Sequence, residues 1–296
     1  MAPYTAFRIG GPADVMVVPE GVEQLQAAVR VCHEHGIPLT VVGRGSNLLV
    51  SDDGIEGVVV RVARGLSEVR FDGRRVHAQA GAALPHVAWQ AAMRELSGLE
   101  FGVMIPGSVG GAMVMNAGAH QCSVGPLVRE VWCVGPSGAL VALAQEEMGF
   151  AYRQSVLQQR PELVVASAVL ELSDRPGPEI VREMEGYLHL RRRTQPVGEP
   201  GAGSIFKNPP GDFAGRLIEQ AGLKGWRRGD VEVSPVHANF ILNKGHATCA
   251  QVLEAIRMVQ QRVLEHSGVR LELEVRLVGR FAADPLTAAV PARPGA

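Results

Sequence analysis

The sequence is poor in several features that mark common classes of protein. Aromatic residues make up only 5% of its 296 residues, and the acidic and basic side chains nearly cancel to a net charge of -1. This balance gives no electrostatic argument for binding nucleic acid or an anionic membrane. No apolar run approaches the ~20 residues of a membrane span. The N-terminus also lacks the basic and apolar segments of a secretory signal. We therefore expect a cytoplasmic protein without a nucleic-acid or membrane partner.

Cysteine and the common catalytic motifs are equally scarce. The four cysteines, at positions 32, 122, 133 and 249, form no CxxC pair, and the histidines form no HExxH. We therefore predict that the protein has no disulfide and no metal site. The chain contains no GxxxxGK[ST] and no GxSxG, which excludes P-loop proteins and nucleophile-elbow hydrolases. The turn GRGSNL lacks the third glycine of GxGxxG, so a Rossmann dinucleotide site is not supported either.

Glycine is the abundant residue, with 35 of 296 positions or about 12% against roughly 7% on average. The glycines cluster between apolar runs, where the main chain must bend sharply or approach a ligand. Short apolar runs alternate with helical patterns in the first third, which is typical of an α/β unit. A turn-rich segment, SDRPGP at 173–178, predicts a domain boundary.

Hydrophobic spacing and end signals predict the principal elements. Helices are expected over 22–35, 85–96, 179–193 and 249–267, with a short helix after Asp212, which we expect to cap it. Apolar runs predict strands at 15–18, 39–42, 48–50, 58–62, 128–134, 139–144, 163–172, 231–233, 239–242 and 271–278. The helix before Gly268 has the clearest signature, since Thr248 and Gln251 form a capping box.

Two glycine-rich turns carry the first candidate site. The residues are Gly43, Arg44, Gly45, Ser46 and Asn47 in one turn, Pro106, Gly107, Ser108, Gly110 and Gly111 in the other, and then Asn116 and Gly118. Main-chain N–H groups in such turns can bind a diphosphate without lysine. Ordinary tight turns with local Asn and Ser hydrogen bonds explain the same pattern. The residues alone leave both readings open.

A second candidate site lies in the last third of the chain. GAGSIFKNP places Ser204, Lys207 and Asn208 within five residues, and basic residues at 191–193 precede it. A solvated helix end followed by a loop explains this segment equally well. In the strand expected over 271–278, Glu272 and Glu274 lie on the same face. The alternation of side chains therefore does not show which of the two glutamates faces the candidate site. Residue patterns therefore predict a cofactor-binding α/β protein with a polar cleft and go no further.

Read in order, the segments resemble the UDP-N-acetylenolpyruvoylglucosamine reductase (UDP-N-acetylmuramate dehydrogenase) family of flavoenzymes. The matching segments are TAFRIGGPAD at 5–14, VVGRGSNLLVSDDGIEGVVV at 41–60, GLEFGVMIPGSVGGAMVMNAGA at 98–119, FAYRQS at 150–155, RRRTQP at 191–196, GAGSIFKNP at 201–209, AGRLIEQAGLKGWRRGDVEVSPVHANFILNKGHAT at 214–248 and LELEVRLVG at 271–279. Eight ordered segments covering nearly the whole chain are a specific match. The resemblance implies an α+β fold: an FAD-binding domain of the vanillyl-alcohol-oxidase (PCMH) type over 1–173, a substrate-binding domain over 174–280, and a flexible tail at 281–296.

The resemblance also implies an activity in peptidoglycan precursor synthesis, and hence in cell-wall biogenesis, cell shape and cell division. NADPH would reduce a non-covalently bound FAD, which would pass hydride to the enolpyruvyl group of UDP-N-acetylglucosamine enolpyruvate. Arg153, Ser204 and Glu274 would be the catalytic set. Arg153, together with Glu274 if it is protonated or holds a water, would offset developing negative charge, and Ser204 would deliver the proton to C2. An unassisted serine is a poor acid, so a neighbouring positive charge must help, and Lys207 is a candidate. Both glycine turns would hold the FAD diphosphate, and Arg192, Lys207 and Asn208 would bind substrate. We expect a monomer.

Two departures from the family pattern stand out. After MNAGA the chain reads HQCSVGPLV, where the family usually has an aromatic–glycine turn. The short interval between Ser155 and Arg191 indicates the shorter type of family member, which lacks a tyrosine-bearing loop over the substrate. Two alternatives remain. One is a related FAD oxidoreductase acting on a hydroxy acid or alcohol, disfavoured because the 43–47 turn lacks a flavin-linking histidine. The other is a flavin-free nucleotide-sugar-binding protein.

Overall fold

The computed structural model describes residues 1–281 and Pro285. Six α-helices occur in this part of the chain: α1 Val22–Glu34, α2 Leu84–Ala92, α3 Val109–Met115, α4 Gly177–Thr194, α5 Ala214–Gln220 and α6 Cys249–Ser267. Its strands are β1 Ala13–Val17, β2 Leu39–Val42, β3 Leu48–Val50, β4 Ile55–Arg61, β5 Val69–Asp72, β6 Arg75–Gln79, β7 Leu96–Ser97, β8 Gly118–Ala119, β9 Cys122–Ser123, β10 Val128–Val134, β11 Leu140–Ala144, β12 Val164–Glu171, β13 Ser173–Asp174, β14 Arg227–Arg228, β15 Val231–Val233, β16 Ile241–Asn243 and β17 Arg276–Val278.

The chain divides into two compact units, each with its own hydrophobic core. The larger unit consists of Asp14–Arg44 and Gly57–Arg193. Its main sheet has the strand order β11-β10-β12-β6-β5 with antiparallel pairing, and a second sheet has the order β1-β4-β2. Residues from α2, the 3-10 turn Glu100–Met104 and β12 fill the core between these elements. The mixed helix and strand content is that of an α+β fold.

The smaller unit is assembled from three separate stretches of chain. Met1–Ala13 and Gly45–Glu56 join the described residues from Thr194 onward. Strands β14, β15 and β16 form a small antiparallel sheet, whereas β3 and β17 pair in parallel with Arg276 opposite Leu48. The apolar face of α6 packs into this unit's core. The smaller unit therefore does not correspond to one continuous segment of the sequence.

This division differs from the predicted boundary between residues 173 and 174. Helix α4 belongs to the larger unit because its buried Ile180 and Met184 pack into that unit's core. The change of unit falls between Arg193 and Thr194, and the first 13 residues belong with the later ones. Of the predicted tail, Phe281 lies against the smaller unit's core. Residues 282–284 and 286–296 lie outside the described residues.

Most predicted elements occur with shifted ends, but several expectations were wrong. Asp212 does not cap α5: Phe213 is the N-cap residue, its side chain is 67% exposed, and Asp212 binds Arg216 instead. The last strand is limited to β17 rather than running over 271–278. The glycine-rich middle contains α3 and the hairpin β8–β9, neither of which was predicted.

Candidate active site and cofactor site

The two glycine turns predicted to share one ligand come together in the larger unit. A methyl group on Gly43 would overlap the hydroxyl of Ser108, so the first turn touches the second where glycine is required. Ser108 is buried and is the N-cap residue of α3, where its Oγ accepts a hydrogen bond from the amide of Gly111. Gly110 packs on Ala80, with a hypothetical Cβ only 3.0 Å from the Ala80 methyl. Close packing and ligand approach both explain these glycines.

The first turn keeps its main-chain donors available. Within the described part of the chain, the amides of the five residues 43–47 donate no hydrogen bond. Gly45 has a φ of +64°, and a side chain there would collide with the carbonyl of Tyr4. Consecutive free N–H groups on a tightly held turn are the donor set that an anion such as a diphosphate requires. The residues of this turn therefore fit a diphosphate-bearing cofactor.

Asn116 and Gly118 hold the second turn's downstream segment by contacts within the protein. The buried Asn116 amide donates to the Ala151 carbonyl at 2.8 Å and accepts from the Gly125 amide at 2.9 Å. Gly118 is required by close approach, because a Cβ there would overlap the carbonyl of Cys122. The Asn116 side chain thus braces the loop, a role that the sequence pattern did not indicate.

Arg153 sits at the tip of a two-residue turn in the larger unit. Ala151 and Gln154 exchange both main-chain hydrogen bonds around it, and Arg153 has a left-handed φ of +56°. Its guanidinium donates from Nη1 to the Gly118 carbonyl at 2.9 Å, and Gln158 donates to the Arg153 carbonyl at 3.0 Å. Hydrogen bonds thus hold both the guanidinium and the main-chain carbonyl of Arg153. A left-handed arginine costs conformational energy, and residues held in such conformations cluster at functional sites.

Ser204 lies in the smaller unit on a segment held from two sides. Ser204 forms an isolated bridge with Phe240, and Phe206 forms one with Leu273. Gly203, directly before the serine, has a φ of +74°. The half-buried Ser204 hydroxyl is therefore carried by main chain that is fixed on both flanks.

A buried asparagine that the sequence analysis missed fixes the same segment. Asn239 accepts from the Phe206 amide at 3.0 Å and donates to the Phe206 carbonyl at 2.8 Å, while its own carbonyl accepts from Ile205 at 2.9 Å. The side chain is 4% exposed, so these bonds are protected from water. Three bonds to the two residues after Ser204 make Asn239 the principal brace of the serine segment. Its position in the HANF motif gave no clue, because the contact is made across 33 residues.

Glu274 is placed beside the serine segment by main-chain bonds. Its amide donates to the Ile205 carbonyl at 2.8 Å, and the Val275 amide reaches the same carbonyl at 3.3 Å. Two successive amides on one carbonyl make a bulge-like irregularity, which redirects side chains. On the other side, Asn47 donates from its side chain to the Glu274 carbonyl at 3.0 Å. The structure therefore brings together Ser204, Glu274 and the end of the first glycine turn within one unit.

Lys207, Asn208 and Glu272 form the outer part of this region. The Lys207 ammonium lies 3.5 Å from the Glu272 carboxylate, so the lysine pairs with an acid rather than lending its full charge to Ser204. The Glu272 side chain is 77% exposed, which separates it from the half-buried Glu274. The Asn208 side-chain oxygen accepts from the Ala214 amide at the start of α5. The Asn208 side chain therefore satisfies the first main-chain amide of α5.

Of the three arginines at the end of α4, only Arg191 is partly buried, and the role of Arg192 in substrate binding stays a prediction. Arg191 donates from Nη1 to the Met104 carbonyl, just before the second glycine turn, whereas Arg192 is exposed. Among buried side-chain nitrogen and oxygen atoms of the described residues, only Nε of Arg191 lacks a partner. Burial lowers the pKa of its guanidinium. The partner of Arg191 could not be predicted, because its burial arises from tertiary packing.

Two family models match parts of this chain, and its curated relatives cover most of it. Residues 195–278 match the family model described as UDP-N-acetylenolpyruvoylglucosamine reductase, C-terminal domain, and residues 13–144 match the model described as FAD binding domain. The UDP-N-acetylenolpyruvoylglucosamine reductase of Bacillus licheniformis is 42% identical over 93% of this chain and 91% of its own length. That of Rubrobacter xylanophilus is 45% identical over 93% and 92%.

The chain belongs to the UDP-N-acetylenolpyruvoylglucosamine reductase family. A crystal structure of such a reductase from Thermus caldophilus matches with a TM-score of 0.82 and 39% identity, covering 94% of this chain and 96% of that one. The fold is thus an FAD-binding domain followed by the family's C-terminal domain. Within the described part of the chain, every helix is too short or too polar to span a membrane. The same residues contain no metal-binding cluster of three or more His, Cys, Asp or Glu.

Proposed function

We infer that this chain reduces the enolpyruvyl group of UDP-N-acetylglucosamine enolpyruvate to the lactyl ether of UDP-N-acetylmuramate. This is the family's reaction in peptidoglycan precursor synthesis, with FAD as the cofactor and NADPH as the hydride donor. FAD, when bound, supplies the hydride that reaches C3 of the enolpyruvyl group. The free amides of residues 43–47, at a turn packed on Ser108, support diphosphate binding there. No histidine occurs in this turn, which supports a non-covalent cofactor.

Hydride addition at C3 leaves negative charge on the substrate, and the reaction is complete when C2 receives a proton. We assign that proton to the Ser204 hydroxyl. The observation that carries this assignment is the main-chain bond between Glu274 and Ile205, which fixes the glutamate next to the serine segment. The Asn239 brace holds that segment rigid, as a positioned general acid requires. Lys207 pairs with Glu272, so we do not assign it the task of activating Ser204.

Arg153 stabilises the charge that develops on the substrate, because a preorganised guanidinium needs little rearrangement during the reaction. Glu274 acts in the same step, either protonated or through a bound water. Lys207 and the amide of Asn208 bind the uridine diphosphate part of the substrate. We add Arg191 as an arginine that serves the cofactor, since it binds the Met104 carbonyl just before the second glycine turn. The exposed Arg192 keeps its predicted role in substrate binding. We retain a cytoplasmic monomer as a prediction, which size-exclusion chromatography with light scattering tests for oligomeric state.

The two half-reactions, followed separately by stopped flow, test the role of Ser204. In Ser204→Ala, flavin reduction by NADPH should keep nearly its parent rate. Flavin reoxidation by the enolpyruvyl sugar should fall by ~10²–10⁴, as for loss of a positioned general acid. Ser67→Ala is the matched control, because Ser67 is an exposed serine in the other unit. Reoxidation at the parent rate would remove the acid role. Equal slowing of both half-reactions would indicate a structural serine.

A further inference from the structure

The departure from the family pattern after Ala119 forms a strained hairpin in the larger unit. Strands β8 and β9 pair with Ala119 opposite Cys122, leaving His120 and Gln121 as a two-residue loop. Their φ angles are +52° and +64°. Two positive φ angles define a turn that normally selects Asn-Gly or Asp-Gly. His is tolerated at positive φ better than most residues, whereas Gln has no such preference. The turn alone therefore does not account for this pair of residues, and a contact elsewhere has to be sought.

The His120 ring makes that contact. It stacks on the ring of Tyr187 in α4, with centroids 4.7 Å apart and planes 15° from parallel. Such offset stacking adds attraction beyond the area that it buries. His120 thus attaches the tip of the hairpin to helix α4 at a point outside the hairpin's own hydrogen bonds.

Tyr187 is itself held in place by a chain of polar contacts. Its hydroxyl donates to Glu183 at 3.0 Å, and Glu183 pairs with Arg175 at 2.6 Å. Arg175 also lies 3.5 Å from the buried Glu100. Arg175 lowers the pKa of Glu183, and burial raises the pKa of Tyr187 to about 12. The surface against which His120 stacks therefore has a fixed position.

The other end of the hairpin holds the catalytic arginine. Gly118, two residues before His120, accepts the 2.9 Å hydrogen bond from Nη1 of Arg153. A guanidinium is a long, rotamer-rich group, and a fixed acceptor reduces the orientations that it samples. Any movement of the hairpin moves this acceptor.

We propose that His120 is a positioning residue for Arg153: by stacking on Tyr187 it fixes the β8–β9 hairpin, whose Gly118 carbonyl orients the guanidinium towards the reacting group. This inference rests on the proposed role of Arg153 in catalysis. It assigns a task to the residues that depart from the family pattern, with the imidazole supplying the aromatic contact and Gln121 accepting the strained backbone conformation.

Substitutions at His120 distinguish the effect of its aromatic ring from the effect of the strained turn conformation. Asn is better suited than His to a positive φ but has no ring, so His120→Asn relaxes the turn and removes the stack. We expect it to slow flavin reoxidation by the sugar roughly two- to tenfold, the range that loss of one aromatic pair implies. The change should appear in kcat rather than KM, with flavin reduction by NADPH unaffected. His120→Tyr keeps a ring and should restore the rate. His189→Ala, at an exposed histidine of α4, is the matched control.

A double-mutant cycle with Tyr187 tests the contact without using activity. Thermal unfolding of the apoprotein should show that the effects of His120→Asn and Tyr187→Leu are not additive, whereas Tyr187→Phe keeps the stack. Additive effects would overturn the proposed contact. Parent-like reoxidation in His120→Asn, or equal slowing of both half-reactions, would overturn the positioning role.

Arg153→Met distinguishes failure of this inference from failure of the proposed function. If Arg153→Met does not slow reoxidation, the catalytic assignment of Arg153 is wrong and the positioning role of His120 falls with it. If Arg153→Met slows reoxidation but His120→Asn does not, only the inference is wrong. If both slow it, adding His120→Asn to Arg153→Met should cause no further loss, and a full additional loss would contradict coupling through Arg153.

Discussion

The side-chain amide of Asn47 donates a 3.0 Å hydrogen bond to the main-chain carbonyl of Glu274, across 227 positions of sequence. The bond has a counterpart, because the Arg276 amide donates to the Asn47 carbonyl at 3.0 Å. Asn47 therefore lies at the end of a turn assigned to the cofactor and also fixes the main chain of a residue assigned to catalysis. The cofactor turn and the catalytic segment depend on each other structurally.

Glu274 and Glu272 should differ strongly in their effect on turnover. We expect Glu274→Gln to reduce kcat by about 10² or more, as for loss of a group that interacts with the transition state. Glu272→Gln removes an exposed ion pair with Lys207, and such pairs contribute little. Steady-state kinetics of both variants, with FAD content measured in each, makes the comparison. Equal losses in the two variants would contradict the assignment of Glu274.

Asn239 and Asn243 offer a matched pair of buried asparagines. Replacing either by alanine leaves buried main-chain groups unpaired, so both variants should lose roughly 1–3 kcal/mol in the free energy of unfolding. Only Asn239 binds the segment after Ser204; Asn243 binds Phe7 and the turn at Gly245. We therefore expect slower flavin reoxidation by the sugar in Asn239→Ala alone. Denaturant titration and stopped flow provide the two measurements. A similar kinetic loss in Asn243→Ala would show that general destabilisation is the cause.

Arg191 and Arg192 should separate in their effect on cofactor affinity. Arg191→Met removes a partly buried cation and the buried Nε–H that has no partner among the described residues. A charged hydrogen bond from this N–H to the cofactor, of ~1.5–3 kcal/mol, corresponds to roughly 10- to 150-fold in FAD affinity, which is the loss that we expect. Arg192→Met removes the same charge from an exposed position and should leave the FAD dissociation constant nearly unchanged. Flavin fluorescence quenching on apoprotein measures both. Equal weakening of FAD binding in both variants would indicate a general effect of charge. Unchanged FAD binding in Arg191→Met would contradict the role of Arg191 in holding the cofactor.

The four cysteines should react with thiol reagents at very different rates. Cys122 is exposed, whereas burial raises the pKa values of Cys133 and Cys249 to about 12 and also raises that of Cys32. At pH 8 a thiol with a pKa near 12 is ionised in roughly one molecule in ten thousand, and the thiolate is the reactive form. Native protein should therefore show one fast-reacting thiol, which Cys122→Ser abolishes. Denatured, unreduced protein should show four, and a count of two would reveal a disulfide.

Structural features that depend on residues close together in the sequence, such as the ends of a helix, could be predicted from the sequence. The capping box of Thr248 and Gln251 starts α6, and Gly268 ends it in the left-handed conformation, as expected. The resemblance implied that both glycine turns belong to one site, but the packing of Gly43 on Ser108 was not predicted. Tertiary contacts decide the rest. The Asn239 brace, the burial of Arg191 and the turn at Arg153 depend on residues distant in sequence, and hydrophobic periodicity contains no information about them.

The parallel pairing of β3 with β17 has a consequence for synthesis of the chain. Leu48 emerges from the ribosome early, but its partner Arg276 is added 228 residues later. At 5–20 residues per second this interval lasts roughly 10 to 45 seconds. For that time the edge of β3 lacks its native neighbour, and an unpaired strand edge favours aggregation. Truncated chains that end before β17 should therefore depend on chaperones far more than the complete chain does.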